Sequence, residues 1–222
     1  DILTQLQQSS AGDDTMVLTA EVDSASGQGG DDILWGNAGD DLLYGNAGND
    51  QLFGESDNDL LVGDAGNDLL DGGAGDDILI GGTGNDTLRG GDGANIYRFS
   101  ANFGDDVIEN NGTPFSRIEF DASVKPAALR FVREGDDLWI RTREGNNSIR
   151  VKSHFANDLA SIDQMHFADA TEPQSSTPSL QDLLVQYGEL PEQKRTVIHT
   201  LVEEDFADTT TPGLTHNANT GT

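Results

Sequence analysis

From Gly27 the chain repeats itself every nine residues. Eight units begin at Gly27, Gly36, Gly45, Gly54, Gly63, Gly72, Gly81 and Gly90. They read GQGGDDILW, GNAGDDLLY, GNAGNDQLF, GESDNDLLV, GDAGNDLLD, GGAGDDILI, GGTGNDTLR and GGDGANIYR. Position six is Asp seven times running: Asp32, Asp41, Asp50, Asp59, Asp68, Asp77 and Asp86. Position eight is Leu seven times running: Leu34, Leu43, Leu52, Leu61, Leu70, Leu79 and Leu88. Only the eighth unit breaks both columns, with Asn95 and Tyr97. An α-helix, at about 3.6 residues per turn, would scatter these aspartates around its axis. The period fits a six-residue turn followed by a three-residue strand, with Leu turned inward and Gly and Asn taking the left-handed backbone of the turn. Two units then make one flattened right-handed coil, and successive coils stack about 4.8 Å apart. The expected fold class is all-β, a parallel solenoid.

Stacking decides the chemistry. One edge of the coil would carry Asp32, Asp50, Asp68 and Asp86, the other Asp41, Asp59 and Asp77. Bare carboxylates about 4–5 Å apart repel by roughly 3–4 kcal/mol per pair at an effective dielectric near 20. The chain has 40 acidic and 12 basic residues among 222, a formal net charge of −28. Every Lys and Arg lies at Arg89 or beyond, and residues 1–88 hold 19 acidic side chains. Salt bridges within that half are therefore excluded, and cations must come from outside. Calcium suits the site, because it accepts 6–8 oxygens including main-chain carbonyls. Magnesium demands a smaller, stricter octahedron, and zinc prefers His or Cys. The chain has no Cys, hence no thiolate site, disulfide or thiol nucleophile. Its acidity argues against nucleic acid and anionic lipid as partners, and no long apolar run predicts a membrane span.

The units resemble the G-G-x-G-x-D-x-U-x calcium repeat of RTX (repeats-in-toxin) proteins. The resemblance implies a parallel β-roll in which two stacked position-six carboxylates share each Ca²⁺. Carbonyls of positions one and three of one unit, and two and four of the other, complete its shell. Carried onto this sequence, Asp32 and Asp50 would bind with Gly27, Gly29, Asn46 and Gly48. Asp41 and Asp59 would use Gly36, Ala38, Glu55 and Asp57; Asp50 and Asp68 would use Gly45, Ala47, Asp64 and Gly66. Asp59 and Asp77 would use Gly54, Ser56, Gly73 and Gly75; Asp68 and Asp86 would use Gly63, Ala65, Gly82 and Gly84. A weaker site pairs Asp77 with the neutral Asn95, through Gly72, Ala74, Gly91 and Gly93. About five to six Ca²⁺ are expected. Gln28 and Glu55 depart from Gly at position two, and Asp57 from Gly at position four, which marks these turns as candidates for distortion. The grid also runs backwards through Asp14 and Asp23, with Met16 in the Leu column. The roll is thus expected to start near Ser9, with an added Asp14–Asp32 site.

Beyond the repeats the pattern becomes short alternating strands, expected at 96–100, 107–109, 117–120, 129–132, 138–143 and 148–152. REGDD at 133–137 and REGNN at 143–147 read as hairpin turns. Leu138, Ile140, Ile149 and Val151 would face the core, with Arg141, Arg143, Arg150 and Lys152 opposite them beside Trp139. That basic face either docks against the acidic roll or stays solvated, or else contacts a host-surface glycan or receptor. His154 and His166, beside Phe155 and Phe167, read as packing residues. This flank resembles the segment after the last repeats of RTX toxins and adhesins, including the final block of adenylate cyclase toxins, which implies a β-rich cap. Four segments are expected: degenerate repeats over 1–26, the roll over 27–98, the cap over 99–170, and a linker, short helices and tail over 171–222. Leu180, Leu183, Leu184 and Tyr187 have helical spacing, as do Val197, Ile198, Leu201 and Val202. In RTX proteins an uncleaved secretion signal lies about there. No cleaved signal peptide is visible, and the chain reads as part of something larger.

No triad order, HExxH or isolated carboxylate pair stands out, so no enzyme activity is expected. The resemblance implies a calcium-folding module of a toxin or adhesin, secreted or held at the cell surface, with the type I secretion apparatus as partner. The alternatives are an accessory module of a secreted hydrolase or epimerase, and a glycan-binding adhesion module.

Overall fold

The computed structural model describes residues 6–110, 116–156, 162 and 164–168. The chain divides into Asp1–Glu189 and Leu190–Thr222, and everything described belongs to the first unit. The expected helices and secretion signal over 171–222 lie outside the described residues.

The strands run in chain order. Before the regular repeats come β1 (Leu6–Gln8), β2 (Thr15–Val17) and β3 (Ser24–Ser26). The repeats supply β4 (Ile33–Ala38), β5 (Leu42–Ala47), β6 (Gln51–Ser56), β7 (Leu60–Ala65), β8 (Leu69–Ala74), β9 (Ile78–Thr83) and β10 (Thr87–Arg89). Then follow β11 (Ile96–Phe99), β12 (Asp105–Ile108) and β13 (Arg117–Phe120). The last group is β14 (Leu129–Glu134), β15 (Asp137–Thr142), β16 (Ser148–Val151) and β17 (Gln164–Phe167).

Alternate strands build two facing sheets. One has the order β1-β3-β5-β7-β9-β11-β13-β17; the other has β14-β15-β16-β12-β10-β8-β6-β4-β2. The pairing is parallel throughout except for β14–β15 and β15–β16, the two antiparallel pairs at the hairpins expected from REGDD and REGNN. Each repeat sits on the one two units before it: Leu34 pairs with Leu52, Leu52 with Leu70, and Leu43 with Leu61. All seven column leucines are fully buried between the sheets. Met16 pairs with Leu34, so the ladder does begin among the degenerate units.

The central strands are longer than the three residues expected. They continue from position seven of one unit through position three of the next, because the left-handed residue at position two bends the strand without breaking its pairing: Asn37 (φ 77) still pairs with Glu55 (φ 78). Gln28 and Asp57 also take positive φ, so the non-glycine turn residues keep the same backbone. Nor does the parallel order stop at the last repeat. β11, β13 and β17 extend one sheet, and β12 and β16 the other. Phe99, Phe103 and Phe120 fill the interior there, with Phe120 stacked on Phe167 at 5.0 Å.

Candidate metal centre

The turns that join the strands place the aspartates in two vertical files, and each file is built by the same bond. The main-chain N–H of one Asp donates to Oδ1 of the Asp one coil further on. Asp32 donates to Asp50 at 2.8 Å, Asp50 to Asp68 at 2.8 Å, and Asp68 to Asp86 at 2.9 Å. On the other edge Asp41 donates to Asp59 at 2.8 Å and Asp59 to Asp77 at 2.9 Å. The five pairs expected to stack from the spacing therefore stand in register. A second ladder of opposite direction runs beside them at position five: Asn49 N–H donates to Asp31 and Asn67 N–H to Asn49.

Once Oδ1 is used, the second carboxylate oxygen is left over. Oδ2 of Asp32, Asp41, Asp50, Asp59, Asp68, Asp77 and Asp86 is buried and accepts no hydrogen bond from the described residues. A buried carboxylate oxygen without a donor is costly, so such groups are held protonated, paired or bound to metal. Burial pushes Asp59 and Asp68 up to about 7 and Asp41, Asp77 and Asp86 up to about 6, despite the N–H each one accepts. Asp32 and Asp50 are raised for the same first cause.

The oxygens converge on a cradle above position one. A methyl group added at Gly36 would lie 2.5 Å from Asp41 Oδ2 and 2.9 Å from the Gly54 carbonyl oxygen of the next coil. Gly27, Gly54 and Gly63 repeat this arrangement, each against its own aspartate and the position-one carbonyl two units on. The expected carbonyl donors Ala47, Ala65 and Ala74 each accept one N–H, from Gly30, Gly48 and Asp57, which leaves a second lone pair on each oxygen. Carboxylate and carbonyl oxygens without nitrogen or sulfur form the donor set of a hard cation, and the arrangement fits calcium.

The ends of the files differ from their middles. Asp14 donates its N–H to Asp32, but its own Oδ2 accepts the amide and hydroxyl of Ser10 at 2.8 and 2.6 Å. Those bonds hold its carboxyl below the usual range. Thr19 closes Asp23 in the same way. Unlike the column aspartates, Asp14 is thus supplied with protein donors. At the far end of the second file Asn95 Oδ1 accepts the Asp77 N–H at 2.9 Å. The Asn95 amide nitrogen and the Tyr97 hydroxyl stand over Gly90, where other units place Oδ2, and the Tyr97 hydroxyl accepts the Gly90 N–H and donates to Asn110.

Asp106 was outside the nine-residue grid and is in the file. It is 2% exposed, its Oδ1 accepts the Asp86 N–H at 2.8 Å, and its Oδ2 has no partner among the described residues. Burial raises its carboxyl to about 8. The available signal was the triplet Gly104-Asp105-Asp106, identical to Gly30-Asp31-Asp32 but displaced from the period by two residues.

The basic face beside Trp139 is internally paired. Arg141 and Arg150 lie over the indole at 4.3 and 5.6 Å and bridge to Glu134 at 3.0 Å and Asp137 at 2.6 Å. Lys152 pairs with Glu109, and Arg143 donates to the Ala127 carbonyl. His154 is buried edge-on against Phe155, a packing arrangement.

Comparison with known proteins agrees with this geometry. The RTX calcium-binding nonapeptide repeat (4 copies) matches residues 9–43, 26–61, 35–70, 62–97 and 71–108. The haemolysin-type calcium binding protein related domain matches residues 137–172. The iron-regulated protein FrpA of Neisseria meningitidis serogroup C is 36% identical over 77 residues, a stretch covering 32% of this chain and 7% of that protein. A repeat of this kind is a structural, calcium-binding module rather than a catalytic one. With its repeats stacked in two parallel sheets and its aspartates in file, the stretch 9–108 is a block of RTX calcium-binding nonapeptide repeats.

Proposed function

We propose that this chain is a calcium-triggered folding module of a type I secreted toxin or adhesin. The observation that carries the reading is the row of buried carboxylate oxygens with no donor among the described residues, Oδ2 of Asp32, Asp41, Asp50, Asp59, Asp68, Asp77 and Asp86. Each stacked pair would hold one Ca²⁺ together with main-chain carbonyls of the adjoining turns. Without calcium these groups repel one another, and residues 1–88 have no basic side chain to offset them. In a low-calcium cytosol the segment stays open and fits an export channel. Outside, calcium binds the folded form alone and stabilises it by mass action. Folding there opposes back-sliding, and the secretion apparatus is the partner this requires.

Circular dichroism of the whole chain tests the reading. Adding millimolar Ca²⁺ at neutral pH converts a coil spectrum to a β spectrum, and Mg²⁺ at the same concentration does not. An unchanged spectrum, or an equal response to Mg²⁺, contradicts it.

A further inference from the structure

We propose that Asp86 and Asp106 hold a further Ca²⁺, beyond the regular repeats, where the roll meets the C-terminal strands. This rests on the calcium reading above and extends it to a residue that the period does not reach.

The segment Ala101-Asn102-Phe103-Gly104-Asp105-Asp106-Val107-Ile108-Glu109 is a ninth unit in disguise. ANFGDDVIE aligns with GNAGDDLLY of residues 36–44 once two residues are allowed between the eighth unit and the ninth. The backbone keeps the alignment. Asn102 (φ 64) and Gly104 (φ 87) take the left-handed conformation that Asn37 (φ 77) and Gly39 (φ 111) take at positions two and four. Asp105 N–H donates to Asn85 at 2.9 Å, continuing the position-five ladder. Val107 N–H donates to the Asp86 carbonyl at 2.8 Å, as Thr87 N–H does to Asp68 at 2.8 Å. Ile108 pairs with Leu88 and is fully buried in the leucine column. The extra residues are absorbed in the turn before Phe103, so the file of carboxylates passes the insertion without a shift.

What this file ends on differs from its neighbour. The other edge finishes with Asn95, whose N–H donates to the Ser116 hydroxyl, and with the Tyr97 hydroxyl over Gly90. Neutral groups complete that edge. The Asp86 edge instead ends on a second carboxylate, and Oδ2 of both Asp86 and Asp106 is buried without a donor among the described residues. Two stacked carboxylates are the same side-chain donors as in the regular pairs, so the ligand class is the same hard divalent cation.

Its position gives this site a role the others lack. Gly104 N–H donates to the Asn147 side chain, Ser148 N–H donates to the Gly104 carbonyl, and the Ser148 hydroxyl donates to Asp105. β12 pairs with β16, and β16 carries the antiparallel β14–β15 hairpin. A cation between Asp86 and Asp106 therefore ties the last coil of the roll to the hairpin sheet.

Calcium counting on the whole chain, by equilibrium dialysis or native mass spectrometry, tests the assignment. Asp106→Asn keeps the oxygen that accepts the Asp86 N–H and is expected to bind one Ca²⁺ fewer than wild type. Glu144→Gln, on the exposed hairpin turn, is expected to bind the full number. An unchanged count in Asp106→Asn overturns this site alone, whereas a wild-type chain that binds no calcium overturns the calcium reading with it. A second measurement needs no variant. With a paramagnetic lanthanide replacing calcium in the wild-type chain, the amide resonances of Asp105–Val107 and Ser148–Arg150 broaden. Their remaining sharp at saturation overturns the proposal.

Discussion

From β4 to β10 and from β11 to β17 the strands stack in the same two sheets, yet the two regions dispose of charge in opposite ways. The repeats bury a file of aspartates on each edge and supply no cation of their own before Arg89. Apart from Asp106, which continues one file, the later strands carry acid and base together on their outer faces. Glu109 sits between Arg89 at 2.7 Å and Lys152, which hold its carboxyl below the usual range. Glu119 lies between Arg98 and Arg117, each at 2.9 Å. One parallel stack thus uses two kinds of counter-charge, an external ion and a built-in side chain. On the proposed reading, only the first makes folding conditional on the surroundings.

The comparison can be broken at several points. The largest loss is expected in the shared core. Leu61→Ala opens a cavity in the leucine column and should cost about 2–5 kcal/mol, read from denaturant unfolding in saturating calcium. Asp59→Asn comes next, because Asp59 belongs to two stacked pairs. Its calcium midpoint is expected to rise about tenfold, equivalent to about 1.4 kcal/mol. A midpoint unchanged in a calcium titration would show that the file does not set the affinity.

Acidity should act on the files in a direction the burial fixes. Asp59 and Asp68 are raised to about 7 and Asp41, Asp77 and Asp86 to about 6, from an ordinary 3.8. Their protonated forms favour the calcium-free fold fully below pH 3.8, and that contribution is lost as pH rises through 6 to 7. Calcium must displace those protons, so its midpoint rises as pH falls from 8 to 5.5. Titrations at the two pH values check the sign. The smallest effect belongs to the later strands. Glu119→Gln breaks half-exposed ion pairs, should cost under about 1 kcal/mol, and should leave the calcium midpoint within about twofold of wild type.

The repeat made the roll legible, since seven Asp and seven Leu at one spacing leave few folds open. It also gave the five pairs in register. Asp106 escaped because a fixed period finds only residues that keep it, and two extra residues hidden in a turn shift the numbering without shifting the stack. Ser10 and Tyr97 escaped for another reason. Their hydroxyls act by reaching a carboxylate or an amide across a turn, and position in a repeat does not encode that reach. The sequence understates strand length at position two, where positive φ reads as a break although pairing continues through it.

Residue-resolved amide hydrogen exchange, with and without calcium, compares the two charge arrangements most directly. In calcium the amides of residues 33–89 are expected to be protected, and after chelation or exchange into Mg²⁺ that protection collapses. Amides of the repeats that stay equally protected without calcium would contradict the claim that external ions supply the counter-charge this fold requires.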